Sequence, residues 1–118
     1  MLEEFNVPFI EDLKMNTDLL EKKLKGNRNF CRVYLLVCNF YKKDLIKIYP
    51  ELISKNLNDI SRPYAYELLM EFVYLELFNK HITHKGYGGK AIFTPAKPIN
   101  DIITQRYIDI AKEKLNLI

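Results

Sequence analysis

Basic side chains gather in two stretches of the chain that contain no acidic residue. Residues 25–43 carry lysine and arginine, and residues 79–97 carry lysine together with both histidines. Because unpaired positive charge attracts phosphate and other anions, these stretches indicate a partner with negative charge. The formal net charge of +3 is too small to indicate such a partner on its own, so the argument depends on where the charge lies.

The residues that bind metals or act as nucleophiles lack the spacing that those chemistries need. His81 and His84 would point to opposite faces of a strand, and the sequence has no Cys-x-x-Cys pair. On one helix Cys31 and Cys38 would lie about 10 Å apart, too far for a disulfide, so we expect free, buried thiols. The motifs of serine hydrolases, phosphate loops, zinc proteases and dinucleotide-binding domains are absent from the sequence. We therefore expect no metal, no cofactor and no enzymatic activity.

Length and composition predict one folded domain over residues 1–118. The chain has 118 residues, of which 48% are hydrophobic, with only 4 glycines and 5 prolines. That balance excludes disordered and collagen-like chains and provides for one core. No apolar run is long enough to span a membrane, and the acidic start Met1–Glu4 is unlike a secretory signal. We expect a cytoplasmic protein with no membrane partner.

Helical periodicity dominates the first half of the chain. Pro8 and the acids after it predict one long or two short helices that continue to about Lys25 and stop at Gly26. The next helix is apolar on almost every side, which predicts the buried centre of the fold. Its apolar residues are Phe30, Val33, Tyr34, Leu35, Leu36, Val37, Cys38, Phe40 and Tyr41. A short helix follows from Pro50 to between Asn56 and Asn58.

The second half begins with a well-marked helix. Ser61 is a natural N-cap and Pro63 fits the first turn, so the helix should run to about Leu75 or Glu76. Its inward stripe is Ala65, Leu68, Leu69, Phe72, Val73 and Leu77. Residues 79–85 and 90–94 then read as two strands joined by a glycine-rich tip, which predicts a basic hairpin.

Residues 98–118 predict one last helix with apolar residues on two sides. The inner stripe is Ile99, Ile102, Ile103, Tyr107 and Ile110. Ile108, Ala111 and Leu115 add a second apolar side, which a partner helix could cover. We therefore expect a homodimer in which this C-terminal helix supplies the contact.

This order of elements resembles the winged helix-turn-helix superfamily, chiefly over residues 50–96. Residues 50–53 look like the opening of its second helix, and residues 61–72 look like its recognition helix. Residues 77–82 are similar to the strand that follows, and residues 85–90 to the wing. The resemblance implies a mostly α fold with a small β-hairpin wing (α+β) and with extra N- and C-terminal helices. It also implies that the partner is double-stranded DNA.

The resemblance further implies which residues touch DNA. A recognition helix presents its first turns to the major groove, where Arg62 could contact a guanine edge or a phosphate. Tyr64 and Tyr66 could donate hydroxyls to phosphates or contact thymine methyls, and wing lysines could lie along the backbone. The implied DNA-binding residues are Ser61, Arg62, Tyr64, Tyr66, Lys80, Lys85, Tyr87 and Lys90. Backbone contacts could also come from Lys42, Lys43, Lys47 and Lys55.

Three functions fit this pattern. The first is a dimeric transcriptional regulator, and the second is a plasmid- or virus-type partition or replication protein that binds DNA with the same fold. The third is a winged-helix module that binds protein, which the acidic residues Glu67, Glu71 and Glu76 on the recognition helix favour. Salt-dependent binding to random duplex would separate the first two from the third.

Overall fold

The computed structural model describes residues 19–83 and 90–117. Helices dominate this part of the chain, and its sheet has two antiparallel strands, which confirms the α+β class. The elements in order are α1 (residues 19–26), α2 (Arg28–Lys42), α3 (Pro50–Asn56), α4 (Arg62–Tyr74), β1 (Phe78–Ile82), β2 (Ala91–Pro95), α5 (Ile99–Ile102) and α6 (Gln105–Lys114). The helix start predicted at Pro8 and the glycine tip of the hairpin lie outside the described residues.

The boundary between the first two helices differs from the prediction by one residue. Gly26 is still helical, and the interruption falls at Asn27. The Asn27 side chain accepts a hydrogen bond of 3.0 Å from the Phe30 amide and so caps α2. The first turn of α2 has backbone amides with no carbonyl partner inside the helix, and the Asn27 side chain supplies an acceptor for one of them. One helix can therefore end and the next begin at this residue.

Helix α2 lies at the centre of the core, as its periodicity predicts. Phe30, Val33, Tyr34 and Val37 are fully or almost fully buried. The ring of Phe30 stacks on that of Phe72 from α4. The predicted inward face of α4 is also confirmed, because its buried residues are Ala65, Leu68, Leu69 and Phe72. The register of α4, on which the site depends, is therefore the expected one.

The two cysteines are free and buried, as predicted, in the part of the chain that the structure describes. The Cys31 thiol donates a hydrogen bond of 2.7 Å to the Leu24 carbonyl. Burial raises the pKa of Cys31 and raises that of Cys38 from 9.0 to about 11. Both thiols are therefore protonated near neutral pH.

We expect Cys38 in the native protein to resist a thiol reagent such as DTNB at pH 8 and to react fully once the chain is unfolded. Only the thiolate reacts, and burial suppresses it. Because the folded pKa of about 11 exceeds the unfolded value near 9.0, this group stabilises the fold below pH 9, and its contribution is lost as the pH rises toward 11. Absorbance of the released thiolate follows the reaction. Rapid labelling of the folded protein would contradict the burial.

The start and end of α4 fix the chain on either side of it. The Ser61 hydroxyl accepts a hydrogen bond of 3.2 Å from the Tyr64 amide, which confirms the predicted N-cap. At the other end Glu76 adopts a left-handed φ of 63°, and the Leu77 amide returns to the Phe72 carbonyl at 2.9 Å. This turn directs the chain into β1, where the Phe78 side chain is buried in the core.

The hairpin is attached to the body of the fold along β2. Strands β1 and β2 pair antiparallel from Phe78 opposite Pro95 to Ile82 opposite Ala91. On the other edge of β2, Ile48 and Phe93 exchange backbone hydrogen bonds of 2.9 and 2.7 Å. Both side chains are fully buried. A single extended residue such as Ile48 has no periodicity, so this bridge cannot be predicted from the sequence pattern.

The prediction of one helix over residues 98–118 is wrong. The chain forms α5 and α6 instead, and Thr104 separates them by accepting a hydrogen bond of 3.3 Å from the Tyr107 amide. The Tyr34 hydroxyl of α2 donates to the Ile102 carbonyl at 2.8 Å and so satisfies a group at the end of α5. A threonine cap and a side-chain donor replace the backbone bonds that a continuous helix would make.

The apolar side of α6 that was expected to meet a partner helix is covered within the chain. Ile108 and Ala111 are buried within the single chain, where α6 packs against α2. Leu115 is half-buried beside the same core. The side of α6 formed by Ile108 and Ala111 is therefore covered by the chain's own core, whereas Ile103 and Ile110, expected on the inner stripe, are half-buried. The homodimer stays a prediction.

Candidate nucleic-acid interface

A cleft of about 640 Å³ lies between the N-terminal ends of α3 and α4 and the hairpin. Prolines, aromatic rings and aliphatic side chains form part of its wall, and charged groups from all three elements stand among them. The lining residues are Tyr49, Pro50, Glu51, Arg62, Pro63, Tyr66, Glu67, Ile82, Lys90 and Ala91. Three of the predicted site residues, Arg62, Tyr66 and Lys90, are thus brought to one place.

Arg62 and Lys90 share one acidic partner in this cleft. Arg62 Nη2 lies 3.2 Å from Glu51 Oε1, and Lys90 Nζ lies 4.0 Å from Glu51 Oε2. The side chains of Arg62 and Lys90 are 63% and 56% exposed, so both cations remain open to solvent and to a ligand. One carboxylate therefore joins the first turn of α3, the first turn of α4 and the start of β2.

Lys80 reaches the cleft by way of Tyr66. Lys80 Nζ donates a hydrogen bond of 3.1 Å to the Tyr66 hydroxyl and lies 5.6 Å from the centre of its ring. The Tyr66 ring in turn meets Phe93 of β2 edge-on, with ring centres 6.0 Å apart. Tyr66 therefore holds a cation of the hairpin against α4. Its hydroxyl is occupied as an acceptor and still has a proton to donate.

The other predicted site residues lie elsewhere or outside the described chain. The Tyr64 hydroxyl accepts a hydrogen bond of 3.4 Å from Asn29 of α2, which turns this residue toward the body of the fold. Ser61 is exposed, and its hydroxyl caps α4. Neither residue lines the cleft. Lys85 and Tyr87, predicted at the wing tip, lie outside the described residues.

The three acids of the predicted recognition helix have different surroundings. Glu71 pairs with Lys23 of α1 at 3.2 Å, and Glu76 occupies the turn after α4. Glu67 alone among them lines the cleft, where it is exposed. A carboxylate there would repel an anionic ligand, and Glu67 is the acid of this helix that lies in the cleft.

Part of the positive charge in residues 25–43 serves the fold. Arg32 Nη1 and Nη2 donate to the two oxygens of the Asp59 carboxylate, at 2.6 and 2.7 Å. This hydrogen bonding lowers the pKa of Asp59, and it joins the turn before α4 to α2. Arg28 donates to the Lys114 carbonyl at the end of α6, at 2.9 Å. The lysines predicted to add contacts to the DNA backbone are exposed: Lys42, Lys43, Lys47 and Lys55.

Residues 19–83 and 90–117 contain no group of three or more side chains that could hold a metal ion. His81 Nε2 is 2.9 Å from Thr94 Oγ1 across the hairpin, and His84 lies outside the described residues. None of the described helices is long and apolar enough to cross a membrane.

Comparison with protein-family models, with curated proteins and with solved structures found no match to this chain.

Glu51 is the member of this site that sequence reasoning missed. It was seen only as part of a helix opening, because an acid in the first turn is common in any helix. Its partners come from α4 and from the start of β2, and no spacing along the chain predicts that meeting. The signal available in the sequence was indirect. Glu51 is a lone acid at a helix start between two basic segments, so it is a candidate to pair with a cation from either segment.

Proposed function

We propose that this chain binds double-stranded DNA as a winged helix-turn-helix protein. In this proposal the first turn of α4 enters the major groove, and the hairpin lies along the sugar-phosphate backbone. One observation carries the proposal: Arg62, at the exposed start of α4, shares a face with Lys80 and Lys90 of the hairpin. A recognition helix reads base edges from its N-terminal residues, and cations beside it position the duplex.

The geometry of α4 supports this arrangement. Its buried stripe faces α2 and the core, which leaves Ser61, Arg62 and Pro63 exposed at the N-terminus. The dipole of α4 places partial positive charge at this end, which favours phosphate. The order α2, α3, α4 and hairpin is the order that the resemblance implies.

The first test measures binding of the wild-type chain to a labelled random-sequence duplex of about 30 base pairs. Fluorescence anisotropy is recorded at several salt concentrations. Phosphate contacts predict that the logarithm of the binding constant falls linearly with the logarithm of salt concentration. Selection from a randomised duplex pool then supplies a preferred site for comparison with a scrambled one. Absence of duplex binding across the series would contradict the proposal.

We expect Arg62→Ala to weaken binding to the selected duplex by about 1–3 kcal/mol more than to the scrambled one, because a bidentate contact to guanine discriminates by that amount. Lys80→Ala and Lys90→Ala should weaken binding to both duplexes alike and reduce the salt slope by about 1 each. Lys112→Ala, an exposed lysine on α6, is the matched control and should change neither. Equal losses on both duplexes for Arg62→Ala would make it a phosphate contact only.

A second candidate function is recognition of a protein segment in the same cleft. Two carboxylates, Glu51 and Glu67, stand beside the apolar residues Pro50, Pro63 and Ile82, and the Ile82 side chain is largely exposed. Such a mixture suits a peptide with apolar and basic side chains. The same titration separates the candidates, since this function predicts no salt-dependent binding to random duplex.

A further inference from the structure

We infer that the Glu51 carboxylate is an internal substitute for a DNA phosphate and that it sets how strongly and how selectively the proposed interface binds. This inference rests on the proposed function. In the free protein the two oxygens of Glu51 lie against Arg62 and Lys90, one cation each. A phosphate presents the same chemistry to the same cations: anionic oxygens that accept hydrogen bonds from a guanidinium or an ammonium group.

The exposure of the three side chains makes exchange with a phosphate possible. Glu51 is 41% exposed, and its two partners are exposed still further. Exposed ion pairs contribute little to folding stability, so the contact can open without disturbing the fold. A duplex that docks on this face must therefore displace the carboxylate from at least one cation, or bind with that cation still neutralised.

The connection also restrains the interface. Glu51 stands on α3, Arg62 on α4 and Lys90 at the start of β2, so one side chain ties the predicted reading helix to the predicted wing. Arg62 held on its Nη2 side has fewer orientations in which to meet a phosphate. Arg62 loses its ion pair with Glu51 when it binds DNA, and a contact to a base edge must compensate for that loss. The ion pair therefore favours the selected sequence over a random one.

Glu51→Gln keeps the shape of the side chain and removes its charge. We expect it to bind a random 30-base-pair duplex about 5- to 20-fold more tightly at about 50 mM salt. Its salt slope should be steeper by up to about 1, because Arg62 becomes available to a phosphate in addition to Lys90. Its preference for the selected over the scrambled duplex should fall. Glu51→Ala, which also removes the hydrogen-bond acceptor, should change affinity and preference in the same direction.

Two further variants separate this specific effect from a general gain in charge. Glu67→Gln removes a carboxylate from the same cleft, one for which the described residues supply no ion-pair partner. Glu113→Gln makes the same change on α6, away from the cleft. The gain from Glu51→Gln should exceed that from Glu67→Gln and should shrink in an Arg62→Ala background, whereas the effect of Glu67→Gln should persist there.

The outcomes distinguish this inference from the function on which it rests. If the wild-type chain binds duplex but Glu51→Gln gains no more than Glu67→Gln, or gains equally with Arg62 absent, the role of Glu51 is refuted and duplex binding stands. If only Glu51→Gln binds, the role of Glu51 as a substitute for phosphate is supported, and the proposed function of the wild-type chain is contradicted. If neither chain binds duplex while circular dichroism shows both folded, the proposed function and the inference fall together.

Discussion

Phe72→Ala is expected to lower the free energy of unfolding by about 3–5 kcal/mol, as truncation of a buried phenylalanine does. The Phe72 ring is fully buried and stacks on three others, with ring centres 4.4 Å from Phe30, 4.8 Å from Phe78 and 6.4 Å from Tyr34. It therefore joins α2, α4 and β1, and its removal leaves a cavity where three elements meet. Urea unfolding followed by circular dichroism measures the loss.

The control for this prediction is Tyr74→Ala on the same helix. The Tyr74 side chain is 72% exposed, so its removal should change stability by less than about 0.5 kcal/mol. A neutral Phe72→Ala would mean that α4 presents a different face to the core. Arg62 would then no longer stand where the proposed function needs it.

Ala111→Asp should destabilise the protein by about 3–5 kcal/mol, because it places a charge without a partner in the core. Ala111 is fully buried where α6 packs on α2. Burial raises the pKa of such an introduced carboxyl, so the loss should diminish as the pH falls and the group takes up a proton. Thermal unfolding at about pH 4 and pH 7, relative to the control, measures both effects.

Lys112→Asp is that control, since it introduces the same side chain one residue along at an exposed position. It should cost no more than about 1 kcal/mol, the size of a charge effect near a helix C-terminus. An Ala111→Asp variant as stable as this control would show that α6 does not belong to the core of the single chain. Sedimentation would then test the homodimer expected from its apolar side.

The elements predicted correctly are those whose information is local. Ser61 and Pro63 mark the start of α4, and the spacing of Leu69 and Phe72 marks its inward face. Caps act over three residues and helical stripes over one or two turns, so both are legible in a short stretch of chain. The central position of α2 follows from the same reasoning, because a helix that is apolar on nearly every side has to be covered on nearly every side.

The C-terminal region shows where such reasoning stops. Periodicity identified Ile108 and Ala111 as an apolar side but could not say whether a second chain or the same chain covers it. Helix α2 covers it. The interruption at Thr104 likewise depends on Tyr34, whose hydroxyl approaches from a distant part of the sequence. Burial is a property of what packs opposite a residue, and the opposite element is chosen by the whole fold.

The candidate interface divides in the same way. Residue types and local pattern were enough to indicate an exposed arginine at a helix start and a basic hairpin beside it. That Tyr66 accepts a hydrogen bond from Lys80, and that Glu51 lies between Arg62 and Lys90, follows from the packing of α3, α4 and the hairpin. Ion pairs depend on distance through space and leave no periodic trace along the chain. The positive charges are therefore visible in the sequence, whereas the carboxylate that meets them is fixed by the three-dimensional arrangement.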